Sequence, residues 1–264
     1  MLKRSASALP HTSSAVPHYS SAVHSGVVPL ANTAWDNPNV PPAMMNAIQT
    51  AAQDSGVDPH LLAAIAWRES RFDPNAGNRH SSAKGLLQFT TGTWLQVVRD
   101  FGSRHDVGDY AAAISKDPSG ALVVHGRGMR MAILQLRSDP ALSAKLAAES
   151  MQQQRAAMQE RLGRSVTAAD LYLLHVLGPS GAARFLTAMA QHPSASSLEV
   201  ASLKVLRNAG LLASDGRPMS VANTYAAAGA MLEAQHGHFE PVLVATGAKG
   251  DVTPAAPVEV SQAP

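Results

Sequence analysis

Glu69 and Ser70 close the run "DPHLLAAIAWRES", immediately ahead of the break "RFDPNAG". Leu62, Ile65, Ala66 and Glu69 follow the spacing i, i+3, i+4, i+7, which places the carboxyl group on an apolar helical stripe and away from water. Desolvation disfavours a charged carboxylate, and a neutral carboxylic acid can donate its proton to a leaving-group oxygen. The plainer alternative is a structural carboxylate at a helix end, paired with Arg68 or Arg71. Two further segments carry side chains suited to the same chemistry. "SSAKGLLQFTTGTW" offers the Gln88 amide as a hydrogen-bonding group for a polar, uncharged ligand, with Leu87 as an apolar neighbour. "LYLLHVLG" sets His175 on the Leu171, Leu174, Gly178 face, so its ring points inward, where a lone histidine is most often a packed, hydrogen-bonded core residue.

The elements that must position these groups are well punctuated. "PPAMMNAIQTAAQDSG" starts after prolines and stops at Gly56, and Asp58–Pro59 supplies an N-cap and first-turn proline for the helix that ends at Glu69–Ser70. Pro74 forbids its continuation. A helix is expected from Thr91 or Thr93 to about Phe101, and a long one from Asp139–Pro140 to Gly163. Thr167 and Asp170 have capping-box spacing ahead of a helix stopping at Gly178–Pro179, and "GAARFLTAMAQ" and "SVANTYAAAGAMLEAQ" complete the set. No run alternates like a strand, although a short hairpin between residues 74 and 90 would escape such a reading. The expectation is an all-α domain over residues 41–236, a disordered Ser/Pro-rich leader over 1–40 and a flexible Pro/Ala/Val tail over 237–264.

Composition narrows the chemistry. The 264 residues are 45% hydrophobic but 5% aromatic, a mixture that favours packed alanine-rich helices over sheets. Cysteine is absent, which excludes thiol nucleophiles, disulfides and Cys-ligated zinc. The His236–Gly237–His238 pair is a poor metal site, "GRG" at 126–128 lacks the setting of a phosphate loop, and the methionines sit at core positions. No metal and no cofactor is therefore expected. A net charge of +2 without a dense Lys/Arg run argues against a nucleic-acid surface. No uncharged apolar stretch reaches the ~18 residues of a membrane span, and no apolar core of a cleavable signal follows Lys3–Arg4.

Taken together and in order, "ESRFDPNA" and "GLLQF" resemble the catalytic domain of the soluble lytic transglycosylases, a family with a goose-type lysozyme-like fold. Glu69–Ser70 match the family's Glu–Ser pair, and Gly85–Leu86–Leu87–Gln88 match its Gly–Leu–Met–Gln segment, with Leu87 a volume-conserving replacement for Met. The third family motif, Ala–Tyr–Asn–Ala–Gly, is altered: Gly178 matches, but His175 and Val176 stand where Tyr and Asn are expected. The resemblance covers about residues 42–235, including the "GRPMSV…Y" stretch at 216–225, and marks a variant branch.

What the resemblance implies is cleavage of peptidoglycan strands between N-acetylmuramic acid and N-acetylglucosamine, with Glu69 acting alone as acid and then base to leave a 1,6-anhydro end. Ser70, Leu87, Gln88 and His175 become the substrate-binding candidates, with Ser70 expected to hydrogen-bond the Glu69 carboxylate rather than merely the helix end, and His175, in place of the family's tyrosine, a polar tip in the cleft contacting sugar or Glu69. Two rivals stand beside it. A hydrolytic muramidase on the same fold would need a second carboxylate from Asp73, Asp100, Asp106 or Asp109. A non-catalytic peptidoglycan-binding assembly module would retain the fold alone. The substrate implies the periplasm, cell envelope or export, and three routes stand open: the leader as a non-cleaved export signal serving a cell-envelope secretion apparatus, a misannotated start, or a phage protein released by other means.

Overall fold

Most of the described helices begin at a capping side chain or a first-turn proline. The computed structural model describes residues 40–77, 79 and 81–245; the leader up to residue 39 and the tail beyond 245 lie outside it. Helix α1 (Pro42–Ser55) carries proline in its first turn and ends at Gly56, whose φ of 71° is the left-handed stop. Helix α2 (Pro59–Ser70) is capped by Asp58, which accepts from the His60 N–H at 2.9 Å. Thr90 caps α3 (Thr91–Phe101), and Asp139 caps α6 (Pro140–Leu162) by accepting from the Ala141 and Leu142 N–H groups.

Between α3 and α6 lie α4 (Gly108–Ala112), strands β1 (Ile114–Lys116) and β2 (Leu122–Val124), and α5 (Arg127–Gln135). The strands pair antiparallel, Ile114 facing Val124, around a turn in which the Asp117 carboxylate accepts from the Ser119 and Ala121 N–H groups. This hairpin is an addition to the all-α expectation for residues 41–236. Three-residue strands are too short to show period-2 alternation. Across 74–90, where a hairpin was considered, there are isolated bridges, Gly77 to Lys84 and Lys84 to Phe89.

Helix α7 (Ala168–Gln191) opens with the expected capping box, Thr167 with Asp170. It breaks where the glycine–proline stop was expected: Gly178 adopts φ 68°, ψ 171°, and a second helical limb follows Pro179. Helices α8 (Leu203–Asn208) and α9 (Val221–Ala245) complete the chain. The tail does not begin at 237: α9 runs on to Ala245, because Phe239 is fully buried and meets Phe72 edge-on at 5.7 Å. Nor is residue 40 leader, since Val40 is buried in the core.

Two apolar clusters hold these elements. The larger gathers α1, α2, α7, α8, α9 and one face of α6; the smaller gathers Trp94, Val98, Phe101, Ile114 and Ile133. Helix α6 belongs to both, giving Leu142 and Leu146 to the small cluster and Ala144, Ala147 and Ala148 to the large one. The 72–90 segment crosses between them, with Phe89 packed against each. The fold is all-α apart from the single described hairpin.

At the start of α7, Asp170 is completely buried and answers four donors. Arg164 reaches it with two bonds of 2.6 and 3.0 Å, the Thr167 N–H with one of 2.9 Å, and the Tyr225 hydroxyl with one of 3.1 Å. Burial pushes the carboxyl group up, but the Arg164 hydrogen bonds and the others outweigh it and hold Asp170 below the usual carboxylate range. A carboxylate depressed in the folded state contributes stability that is present above its unfolded titration and is lost as pH falls through the folded one. Asp170→Asn should therefore cost about 2 kcal/mol at neutral pH. The deficit should shrink on acidification, read as converging urea midpoints of variant and wild type; a gap that stays constant with pH would reject this assignment.

Candidate active site

Helix α2 delivers Glu69 in its last turn and is stopped just beyond it in an unusual way. Arg71 and Phe72 both adopt left-handed φ, 55° and 60°, which costs L-residues about 1–2 kcal/mol each. Packing holds them there. Phe72 is buried against Trp67, with ring centroids 5.6 Å apart, and the Arg71 guanidinium lies 4.3 Å over the Trp67 ring.

The turn Gly85–Gln88 is pinned against this helix end. The Ser70 hydroxyl, itself buried, donates to the Leu86 carbonyl at 2.7 Å and shares its proton with the Ala66 carbonyl at 3.1 Å. A hydroxyl has one proton, so this geometry corrects the expected Ser70–Glu69 bond: Ser70 lies beneath the site and ties the turn to α2. Gln88 sits at φ 47° and donates its amide hydrogens to the Ala76 and Gly85 carbonyls, at 3.1 and 2.9 Å. Its amide oxygen is left as an acceptor. From the small lobe, Arg137 donates to the Leu134, Ser82 and Phe89 carbonyls at 3.0, 2.6 and 3.2 Å, fastening the far side of the same segment. Burial lowers the Arg137 guanidinium, and the neighbouring Arg130 charge adds to this.

Opposite α2, the first limb of α7 presents His175. Its Nε2 lies 3.1 Å from Glu69 Oε1, and the two side chains are 29% and 35% exposed. The helical register read from the stripe is right, for Leu62, Ile65 and Ala66 are fully buried. Its consequence for Glu69 is corrected: the stripe emerges from the core at its last position, and the carboxyl group looks into a water-accessible cleft. That cleft has a volume of about 270 Å³. Ile65, Arg68 and Glu69 of α2, Leu87 and Gln88 of the turn, and Tyr172, His175 and Val176 of α7 form its walls, and Val205, Asn208 and Ala209 close one end. Four of the five anticipated site residues therefore share one cavity, and Ser70 underlies it.

Tyr172 and the end of α8 were not anticipated, and Arg68 only as a pairing partner for Glu69. Arg68 donates to the Asn208 carbonyl at 2.7 Å and sits 6.0 Å from the centre of the Tyr172 ring, so it is bound to the cleft wall by contacts other than Glu69. The Tyr172 hydroxyl donates to the Ala209 carbonyl at 2.9 Å. Burial pushes this phenol up to about 12; Arg68 works against the rise and Glu69 adds to it. Tyr172 lies three positions before His175, one helical turn away, and that spacing could have flagged it. The segment 205–209 has no local signal, because only tertiary packing brings it to the cleft.

Residues 46–111 match the family model of the Transglycosylase SLT domain. The matched stretch contains Glu69, Ser70, Leu87 and Gln88, and His175 lies beyond it. The mostly helical fold agrees with the lysozyme-like architecture expected of that family. The domain points to a transglycosylase acting on peptidoglycan, and hence to the cell envelope as the place of action. Among the described residues no helix is long and apolar enough to cross a membrane.

Proposed function

We propose that this SLT-domain chain is a peptidoglycan lytic transglycosylase that cleaves the β-1,4 bond between N-acetylmuramic acid and N-acetylglucosamine, with Glu69 as its single general acid and base. The observation that carries the reading is the make-up of the cleft wall: among the described lining residues Glu69 is the one carboxyl group, and an imidazole faces it. Glycosidases that work by two carboxyl groups hold them about 5–9.5 Å apart across the scissile bond. Asp73, Asp100, Asp106 and Asp109 do not line this cavity. Asp73 accepts from the Asn75 N–H at 2.8 Å, and Asp100 is paired with Arg99 at 2.7 Å.

In this reading the Glu69 carboxylic acid gives its proton to the glycosidic oxygen as the C1–O bond breaks, and the substrate's N-acetyl group assists at C1. The resulting carboxylate then takes the proton of the muramic C6 hydroxyl as O6 closes on C1. The cycle returns Glu69 to its acid form and consumes no water. The Gln88 amide oxygen accepts from a sugar hydroxyl or N–H, Leu87 and Val176 supply apolar surface for a sugar face, and Ser70 holds the turn that carries Leu87 and Gln88. His175 contacts the carboxyl group itself.

Mass spectrometry of purified peptidoglycan digested by the full chain tests this directly. The expected soluble muropeptides end in 1,6-anhydromuramic acid and are one water lighter than reducing-end products. Reducing ends would establish a hydrolytic muramidase instead, and no soluble product would favour the non-catalytic module.

A further inference from the structure

We propose that Arg68 is a specificity-determining residue that reads a carboxylate borne by the muramic acid side chain, beside the bond that Glu69 cleaves. This rests on the transglycosylase reading above. Arg68 and Glu69 are consecutive at the end of α2, and both face the same cleft. Among the described lining residues Arg68 is the one permanently charged cation. Glu69 is uncharged at the moment it gives its proton, and the Tyr172 phenol, pushed up to about 12, keeps its own. A cleft ready for proton donation therefore carries a guanidinium charge that no anion of its wall offsets.

Other arginines of the domain are matched by carboxylates. Arg164 is paired with buried Asp170 at 2.6 Å, Arg104 with Glu149 at 3.1 Å and Arg99 with Asp100 at 2.7 Å. Arg68 is held differently. Its Nη2 donates to the Asn208 carbonyl at 2.7 Å, and its Nη1 to the Met231 sulfur, a weak acceptor, at 3.5 Å. The Tyr172 ring centre lies 6.0 Å from the guanidinium carbon. Gly210 leaves room for the group, since a Cβ there would stand 3.3 Å from Nη1. Helices α7, α8 and α9 thus fix the guanidinium without neutralising it. A guanidinium has five N–H groups, and these contacts engage only part of the set.

The sugars of a peptidoglycan strand are neutral, and its anions are carboxylates attached through the muramic lactyl ether. On a strand stripped of peptide the lactyl group itself is a carboxylate; on a decorated strand the carboxylates belong to the stem peptide. The planar fork of arginine suits either, and a bound glycan that displaces water strengthens the pairing. A neutral ligand would instead cover the guanidinium and remove its water without supplying a counter-charge.

The test uses soluble glycan fragments in four forms: bearing stem peptides, stripped of them, and each again with its carboxyl groups converted to amides. For the full chain, kcat/KM for anhydro-ended product should favour the carboxylate form over the amide form by about tenfold, the effect of one charge-assisted hydrogen-bonded pair. Arg68→Met should bring that ratio to about one, and Arg68→Lys should keep part of it, because a point charge replaces the fork. Preference among stripped fragments assigns the lactyl carboxylate, and preference found only with stems assigns a stem carboxylate. A residue that merely ties α2 to the end of α8 would lower both forms alike. A ratio that survives in Arg68→Met therefore overturns the proposal, as does a wild-type ratio near one. Binding of the same fragments by Glu69→Gln reads the ratio without turnover, so absence of anhydro-ended product from the wild type overturns the transglycosylase reading and leaves the role of Arg68 to the binding ratio.

Discussion

Glu69→Gln should lower the release of soluble muropeptides by about 10²–10⁴-fold, the usual contribution of a general acid, and should leave folding intact. The amide keeps the size of the carboxyl group and has both a donor and an acceptor for the His175 Nε2 now 3.1 Å away. It has no acidic proton to give a glycosidic oxygen, and its weak basicity cannot collect one from a sugar hydroxyl. The side chain is about one-third exposed, so no buried charge is created or removed, and the thermal midpoint should stay within about a degree of wild type, as for other surface substitutions. If one carboxyl group performs both proton transfers, no neighbour restores activity. Asp73, Asp100, Asp106 and Asp109 lie outside the cavity lining, so converting each to Asn should leave turnover within a few-fold of wild type. A Glu69→Gln protein retaining a tenth or more of the wild-type rate would place the acid elsewhere.

Much of this arrangement is legible before any coordinates, because local rules govern it. Asp58 and Pro59 set where α2 starts, the start sets the register, and the register decides that Glu69 continues the Leu62–Ile65–Ala66 stripe. The capping box at Thr167 and the glycine–proline break at 178–179 frame the helical limb carrying His175 in the same way. What escapes is non-local. Periodicity places Glu69 on an apolar face but cannot say that the core ends at that residue and a cleft begins. The destination of the Ser70 proton depends on the Leu86 carbonyl, sixteen positions later, and Arg68 finds its partner in Asn208, on a helix with no motif. A tail is read from residue 237, yet α9 continues to Ala245, with Phe239 buried in the core against Phe72.

Gly85→Ala should be the most damaging single methyl group in this region, and the reason lies on the side of the turn facing away from the cleft. Gly85 adopts φ 87°, and a Cβ there would lie 2.0 Å from the Arg137 carbonyl oxygen and 2.9 Å from its carbon. The obstacle is backbone, and it cannot give way. The Arg137 side chain is buried and anchored to three carbonyls, and its own peptide joins α5 to α6. Overpacking of this kind costs about 1–3 kcal/mol and the left-handed backbone a further ~1–2 kcal/mol for an L-residue. For a domain of this size that lowers the thermal midpoint by about 10 °C. Gly92→Ala is the matched control, because a Cβ at Gly92, inside α3, meets nothing within 4 Å and should be neutral or stabilising by up to about 1 kcal/mol. Activity should fall in Gly85→Ala as well, since the turn that shifts carries the Leu86 carbonyl held by Ser70 and the Gln88 amide oxygen on the cleft wall. Glu69→Gln loses turnover at an unchanged midpoint, whereas Gly85→Ala loses both, and this difference separates a residue that does chemistry from one that shapes the wall around it. A Gly85→Ala protein melting with the wild type would mean that the turn does not press against Arg137, and the Gly–Leu–Leu–Gln segment would then need another reason for its glycine.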